Sequence, residues 1–376
     1  MLERPQRALH RFYELFASGL TTAEIERLIK VDTRGMYEFY ARQMPRTPAA
    51  QKPLRRLLLF SRNLFLAFLL KLTPARRLLY ALSLLFVILA FWYRELSWLV
   101  NAFLVMNFLL ALELADKLVA KDELAVAREI QLSLLPRHKL HMNGFTAVGF
   151  SDAALSVGGD YYDFIALPDG GCLVVIGDVS GKGISAALYT AKVQTLLQIC
   201  ARESQDPREL MLRLNEHLLR ELKRSYFLTL AIVRLQPNGD MQFCRAGHTP
   251  ALRFESQRQD CFWLKPNGLA IGLAPERNAA RENAGQQHSI FRDNLQVIQT
   301  SLAAGDALLL YTDGVSETCN PDRQEFGEER LRRVLLHHHH APAETIREAL
   351  LQELTQFRRG ADMRDDTTFV IIKRNA

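Results

Sequence analysis

The sequence of 376 residues has only five cysteines, with no CxxC pair among them and no histidine at zinc-ligand spacing. Such an odd, dispersed set excludes a disulfide scaffold and a zinc module, and favours reduced thiols in a cytoplasmic compartment. The Gly181-Lys182 pair lacks the GxxxxGK[ST] spacing, which excludes a P-loop. With 48% hydrophobic and 23% charged residues, the chain is neither disordered nor fibrous, and its length predicts two or three domains.

Acidic residues are absent between positions 41 and 94, and this gap explains the formal charge of +6. Residues 1–136 contain 19 Lys and Arg against 12 Asp and Glu, whereas residues 137–376 contain 28 against 29. The excess positive charge therefore lies in the first third of the chain, and the remainder is neutral. This distribution argues against a nucleic-acid partner and favours a cytoplasmic flank beside a bilayer.

Two uncharged apolar segments follow the cationic stretch, at residues 78–93 and 96–112. Trp92, Tyr93 and Trp98 bracket the turn between them, and such residues prefer the membrane interface. The pattern predicts a transmembrane helical hairpin in contact with membrane lipid. In a bacterium this corresponds to the inner (cytoplasmic) membrane, with the domain that follows the hairpin in the cytoplasm. Asn101 and Asn107 keep open the alternative of a buried helical hairpin in a soluble domain.

The patterning divides the chain into four regions. Residues 1–56 are predicted to be a helical cytoplasmic region, and 57–112 a membrane-associated region in which 57–70 lies on the bilayer surface as a basic amphipathic helix. Residues 113–136 predict a linker helix. Its stretch 113–135 is compatible with a coiled-coil homodimer or with an ordinary amphipathic linker. Residues 137–376 form a separate domain.

In the last region, β-rich runs and grouped helices predict an α+β layered domain. The strands are predicted at 172–179, 227–235, 307–315 and 367–373, and the helices at 184–201, 207–222 and 343–357. The polar, irregular stretch 274–294 predicts a surface loop.

Four aspartate sites stand at the ends of these predicted strands or in adjoining turns. They are Gly158-Gly159-Asp160 with Asp163 nearby, Gly177-Asp178-Val179, Thr312-Asp313-Gly314 and Asp365-Asp366-Thr367. Any one of them alone is typical of a turn. Together they offer the oxygen ligands that hard divalent cations prefer, and several converging acids could not all stay ionised without cations. Because no cysteine or histidine joins the set, Mg²⁺ or Mn²⁺ is favoured over zinc.

The order of the motifs resembles that of the SpoIIE/RsbU-type, PPM-family metal-dependent serine/threonine phosphatases. The matching segments are AREIQLSLLP (127–136), GGDYYDF, GDVSGKG with ISAAL, AGHTPAL, LLYTDGVSET with FGEERL, and DDTTFVIIK. The resemblance implies a PPM-type β-sandwich flanked by helices, preceded here by the all-α N-terminal region. GGDYYDF also resembles the GGDEF signature of cyclic-dinucleotide synthesis, but Tyr161 and Tyr162 replace the expected Glu-Phe, and the later motifs would go unexplained.

The resemblance also implies roles for individual residues. Asp160 takes the place of the acid of the first motif, and Asp178 bridges two divalent cations, Mn²⁺ or Mg²⁺, with the carbonyl of Val179 as a further ligand. Asp313 and Asp365 complete the ligand set of one of the metals. Asp366 and Lys182 support these ligands from nearby positions. A hydroxide bridging the metals would attack the phosphorus in line, without a covalent enzyme intermediate.

The proton donor to the leaving group is unassigned. Two residues after Asp178, where the eukaryotic branch of the family has a proton-donating histidine, this chain has Ser180. The remaining candidates are a metal-bound water and Lys182. His248 in AGHTP is predicted to stabilise a turn, and the run His337–His340 to form an exposed helix end or loop.

The predicted function is that of a membrane-tethered phosphatase acting on phosphoserine or phosphothreonine. The resemblance implies an anti-sigma-factor antagonist as the phosphorylated protein substrate, in a bacterial partner-switching circuit. Two alternatives are a catalytically weak phosphatase-fold scaffold that binds phosphoproteins, and a membrane sensor with the phosphatase domain as output.

Overall fold

A computed structural model describes residues 53–136, 138–142, 144–221, 226–273 and 290–375. The chain divides into two compact units, Met1–Val119 and Ala120–Ala376. The predicted region 1–56 lies outside the described residues except for its last four positions, which already belong to a helix.

The described part of the first unit is helical. Helices α1 (Pro53–Lys71) and α2 (Pro74–Tyr93) are followed by α3 (Leu96–Leu134), which extends into the second unit. Pro74 starts α2 with Thr73 as its N-cap, and Arg94 ends it in the left-handed conformation. Arg76 pairs with Glu113 at 2.9 Å and Asp116 at 2.7 Å, so α2 and the first half of α3 run antiparallel as a hairpin.

The two hairpin helices are long and apolar enough to cross a bilayer, and only 11% of the apolar window of each is buried. Phe91, Trp92 and Leu96 expose 90%, 79% and 74% of their surface. This exposure argues against a hairpin buried in a soluble domain, because such a hairpin hides its apolar side chains. The predicted end of the second segment at residue 112 is not a helix end, since α3 runs unbroken for 39 residues.

The second unit is a sandwich of two antiparallel sheets. The strands are β1 (Leu140–Met142), β2 (Phe145–Asp152), β3 (Asp160–Ala166), β4 (Cys172–Val179), β5 (Leu228–Leu235), β6 (Asp240–Ala246), β7 (Ala251–Glu255), β8 (Asp260–Leu264), β9 (Val297–Ser301), β10 (Ala307–Tyr311) and β11 (Thr367–Arg374). One sheet has the order β1-β2-β11-β10-β7-β8 and the other β3-β4-β5-β6-β9.

Helices cover both outer faces of the sandwich. Helices α4 (Ile184–Glu203) and α5 (Pro207–Glu221) pack on the five-stranded sheet, while α7 (Glu328–His338) and α8 (Ala343–Arg358) pack on the six-stranded sheet. A third apolar cluster fills the space between the sheets. The α+β sandwich flanked by helices is thus confirmed.

Two predictions of local structure are wrong. The strand predicted over 307–315 ends at Tyr311, and the short helix α6 (Asp313–Ser316) follows, because Glu317 N–H donates to the Asp313 carbonyl and closes a turn. In the predicted loop 274–294, residues 290–294 are helical, while 274–289 lie outside the described residues. Phe291 in this helical stretch is buried, with 4% of its surface exposed. The polar residues around it in the sequence gave no indication of this burial.

Candidate metal and phosphoryl site

The predicted ligands come from both sheets of the sandwich. Asp160 opens β3 and pairs directly with Asp178 near the end of β4. Asp313 lies just after β10, and Asp365 lies two residues before β11, the neighbour of β10 in the other sheet. A hydrogen bond of 2.8 Å from Thr312 Oγ1 to Asp160 Oδ2 joins the two sheets at this edge.

Burial and mutual repulsion raise the pKa values of three of these acids. Burial, followed by the charges of Asp178 and Asp366, raises the pKa of Asp160 well above its usual range. Burial raises the pKa of Asp178 to about 7, with further contributions from Asp313, Asp365 and Asp366. The pKa of Asp313 is raised by burial and by Asp365. The acids are therefore close enough to oppose one another's ionisation, which added cations would relieve.

Glycine is required where the first acidic loop crosses the others. A Cβ on Gly159 would lie 2.4 Å from the Val179 carbonyl oxygen and 2.9 Å from Asp178 Oδ1. A Cβ on Gly158 would lie 2.2 Å from Asp366 Oδ2. Both contacts are closer than a side chain permits, so the two glycines allow the backbone to approach the carboxylates.

Asp366 orders this loop by hydrogen bonding. Its Oδ1 accepts the Ala154 N–H at 2.8 Å, and its Oδ2 accepts the Gly159 N–H at 2.7 Å. Both oxygens thus hold the loop that carries Asp160.

Asp365 has a cation beside it. Its Oδ2 lies 2.9 Å from Lys182 Nζ, and its Oδ1 accepts the Asp366 N–H at 3.0 Å. Lys182 also donates to the Arg364 carbonyl at 2.5 Å. Lys182 therefore stands among the predicted ligands and not on a remote surface.

His248 is a poor proton donor, and Ser180 is held by a backbone hydrogen bond. His248 is 3% exposed, with Nδ1 2.9 Å from Thr229 Oγ1, and burial together with the charge of Arg245 lowers its pKa to about 3. It is therefore neutral at physiological pH, and its carbonyl accepts from Arg245 in the turn. The Ser180 hydroxyl accepts the Phe227 N–H at 2.8 Å, which ties it to the backbone.

The histidine run lies where it was predicted. Helix α7 ends at His338, and His337 and His340 are exposed. His339 stacks on Phe254 at 4.1 Å between ring centroids. The run therefore lies at the C-terminal end of α7, partly exposed and partly packed on Phe254.

Three contributors to the site had no role assigned from the sequence, although Thr312 and Asp163 were named beside the candidate acids. Gln131, near the end of α3, donates to the Gly158 carbonyl at 2.7 Å and accepts its N–H at 3.1 Å. Thr312 supplies the bond to Asp160. Asp163, 6% exposed, accepts from Gln198 at 3.0 Å and from Gln194 at 3.4 Å, which fastens α4 to β3. The only signal for them was their position inside or beside recognised motifs.

Replacing Thr312 by valine is expected to destabilise the domain by about 1–3 kcal/mol, because the buried Asp160 carboxyl loses a donor. Urea unfolding of the full chain measures the effect. Thr195→Val is the matched control, since its exposed hydroxyl bonds the Ala191 carbonyl on the same helix, and it should stay within about 0.5 kcal/mol of wild type. Equal stability of the two variants would contradict the expectation.

The donor chemistry fits hard divalent cations. The loops offer carboxylate oxygens and a backbone carbonyl, pressed together with raised pKa values and approached through glycines. Among the described residues, no group of three or more His, Cys, Asp or Glu side chains is already spaced around one ion. The ligand set Asp160, Asp178, Val179, Asp313 and Asp365 therefore stays a prediction.

Comparisons with known proteins agree with this architecture. The family model described as Stage II sporulation protein E (SpoIIE) matches residues 168–375, a range that contains Asp178, Asp313 and Asp365 but begins after Asp160. Protein IcfG of Synechocystis sp. is 28% identical over 316 residues, which cover 75% of this chain and 46% of IcfG. The chain thus spans about half the length of that relative.

Phosphoserine phosphatase RsbU of Bacillus subtilis is 23% identical over 256 residues, covering 68% of this chain and 70% of RsbU. Among solved structures, the SiaA-PP2C domain of Pseudomonas aeruginosa superposes with a TM-score of 0.56 at 20% identity. The superposition covers 69% of this chain and 98% of that domain, and it shows a shared fold.

Proposed function

Because the chain belongs to the SpoIIE family of PPM-type phosphatases, we propose that it is a metal-dependent protein serine/threonine phosphatase. Asp160, Asp178, Asp313 and Asp365, with the Val179 carbonyl, would hold two divalent cations, Mn²⁺ or Mg²⁺. The observation that carries the proposal is the meeting of these acids where the β3–β4 and β10–β11 ends join, with Asp160 paired to Asp178 and bonded by Thr312 at 2.8 Å. Burial and neighbouring charges raise the pKa values of Asp160, Asp178 and Asp313 there. Such an arrangement is costly unless cations neutralise it.

Bound divalent cations would supply the charge that neutralises phosphoryl oxygens and makes a water acidic enough to attack phosphorus. The residues of the chain would hold the cations and orient the carboxylates that bind them. Asp366 fixes the loop of Asp160, and Thr312 orients the Asp160 carboxyl. His248 is neutral and tied to Thr229, so it does not supply the proton for the leaving group.

The proposed substrate is phosphoserine or phosphothreonine on a protein of the anti-sigma-factor antagonist type. The support is that two relatives, RsbU and RsbP of Bacillus subtilis, are named phosphoserine phosphatases. The surroundings of Asp365 agree with a protein substrate, since a groove of about 140 Å³ opens beside it between Lys182, Thr318 and Arg358.

We further propose that the hairpin α2–α3 lies in the bacterial inner membrane, in contact with lipid, with the catalytic domain in the cytoplasm. The exposed apolar surface of both helices and the run of cations before α2 support this arrangement. Two copies of the chain would form a homodimer through residues 113–135 of α3. Several exposed apolar side chains on this stretch support it, namely Leu114, Leu118, Val119, Val126 and Ile130.

Phosphate release from a phosphoserine peptide, with and without Mn²⁺, tests the activity. Wild type should release phosphate only with the metal. The rate of phosphate release by Asp313→Ala should be at least about 100-fold lower, because the substitution removes a predicted ligand. Asp322→Ala is the control, an exposed acid in the loop between α6 and α7. Full activity of Asp313→Ala would contradict the metal-site assignment. A wild type that binds the peptide without hydrolysing it would favour the scaffold alternative.

A further inference from the structure

Lys182 is the cation placed among the predicted metal ligands. Its ammonium contacts Asp365 Oδ2 at 2.9 Å and the Arg364 carbonyl at 2.5 Å. The side chains of Lys182 and Asp365 are 48% and 40% exposed, so the pair lies at the rim of the acidic site and not in the core.

The charge of Lys182 acts beyond its direct partner. It opposes the rise in pKa of Asp178 and of Asp313, which burial and neighbouring acids cause. One ammonium therefore contacts Asp365 and also acts on two further predicted ligands, Asp178 and Asp313. A divalent cation bound by these residues would do the same at higher charge.

Both oxygens of Asp365 are engaged. Oδ1 accepts the Asp366 N–H at 3.0 Å, and Oδ2 faces the ammonium. A cation that binds through Asp365 must share or replace one of these contacts. The N–H belongs to the backbone at the start of β11 and is fixed, whereas the ammonium sits on a flexible four-carbon stem. The lysine is therefore the partner that gives way.

The backbone around Lys182 allows such a movement. Gly181 and Gly183 flank it with φ of 102° and 74°, in the left-handed region that glycine adopts freely. A Cβ on Gly183 would meet nothing within 4 Å. A Cβ on Gly181 would by contrast lie 3.0 Å from the Tyr226 ring, so the space for the lysine to move is on the Gly183 side.

We propose that Lys182 is a positioning residue that acts as an internal counter-ion of the acidic site and competes with a divalent cation for Asp365. This inference rests on the proposed metal-dependent function. Its consequence is that Lys182 weakens the affinity of the site for metal, while it stabilises the acidic cluster when metal is scarce. The neighbouring cation thereby sets the metal concentration at which the site fills.

Calorimetric titration of the full chain in detergent with Mn²⁺ alone tests the competition. Lys182→Gln should bind Mn²⁺ about tenfold more tightly than wild type, equivalent to about 1.4 kcal/mol. Lys182→Arg keeps the charge and should stay near wild type. Lys139→Gln is the matched control, because Lys139 is also 48% exposed and pairs with Glu344 at 2.5 Å. It should leave the affinity unchanged.

Thermal unfolding in a chelator gives an independent readout. Lys182→Gln should lower the unfolding midpoint, because the acids lose their counter-ion, and Mn²⁺ should raise that midpoint more than it does for wild type. Lys182→Met is the second neutral variant if the glutamine variant does not fold.

Equal or weaker Mn²⁺ binding by the neutral Lys182 variants, with normal binding by wild type, would overturn the counter-ion inference alone. If wild type binds Mn²⁺ no better than Asp178→Asn, the proposed metal site fails and the inference fails with it. The two proposals are thus separated by one series of titrations.

Discussion

Asp178→Asn is expected to lower Mn²⁺-dependent phosphate release by at least about 100-fold while making the metal-free protein more stable. The loss follows because Asp178 is the predicted bridging ligand. The gain follows because burial and three neighbouring acids disfavour the ionised form of Asp178, and a neutral amide of the same shape removes that penalty. Few other substitutions would move activity and stability so far in opposite directions.

Phosphate release and urea unfolding in a chelator, on the same preparations, measure the two effects. Asp169→Asn is the matched control on the turn at the far end of the same hairpin, where the acid accepts the Gly171 N–H and pairs with Arg234 at 2.7 Å. It should keep its activity and lose a little stability. An inactive Asp178→Asn that is also less stable than wild type would show that Asp178 supports the fold by another route.

The pH dependence of stability should carry the same signature. In a chelator, the free energy of unfolding of wild type, relative to Asp178→Asn, should fall as the pH rises from about 4 to about 7. The pKa of Asp178 is raised from 3.8 to about 7 on folding, so the folded state holds the proton that the unfolded state has lost. The stabilisation of the folded state by the Asp178 proton is complete below pH 3.8 and disappears above about 7. Its size is on the order of a few kcal/mol.

Adding Mn²⁺ should reverse the slope, because the metal competes with protons for the same oxygens and binds more tightly as the pH rises. Urea unfolding at half-unit pH steps, with and without metal, provides the comparison. A wild type whose stability relative to Asp178→Asn is flat across this interval would mean that Asp178 is ionised in the folded protein without added cations.

The sequence predicted the strands and helices of the sandwich well where pattern and turn chemistry agree. Strand β4 has the predicted bounds 172–179, because Gly171 precedes it and Ser180-Gly181 follow it. The fold class of the second unit was also predicted correctly, because motifs in a specific order implied the sandwich. Prediction was weaker where one element changes environment, as in α3, which passes from an apolar to a charged sequence without any backbone signal to end it.

The candidate acids could be named from the sequence, but their partners could not. Asp160 and Asp178 stand beside glycines, which mark unusual backbone. By contrast, Thr312 and Gln131 act through hydrogen bonds to residues more than 25 positions away, at Asp160 and Gly158. Spacing along one chain carries no information on such pairs, because they depend on how two sheets and a helix meet.

The direct pairing of Asp160 with Asp178 restricts how the length of this chain can change. The turn that joins β3 to β4 lies at the opposite end of the hairpin from the acids, where Leu167 N–H donates to the Gly171 carbonyl. Residues inserted in that turn leave the chemistry untouched. A single residue inserted within either strand sends one of the two aspartates to the opposite face of the sheet. Natural variation in length should therefore accumulate in the turn and be absent from the strands.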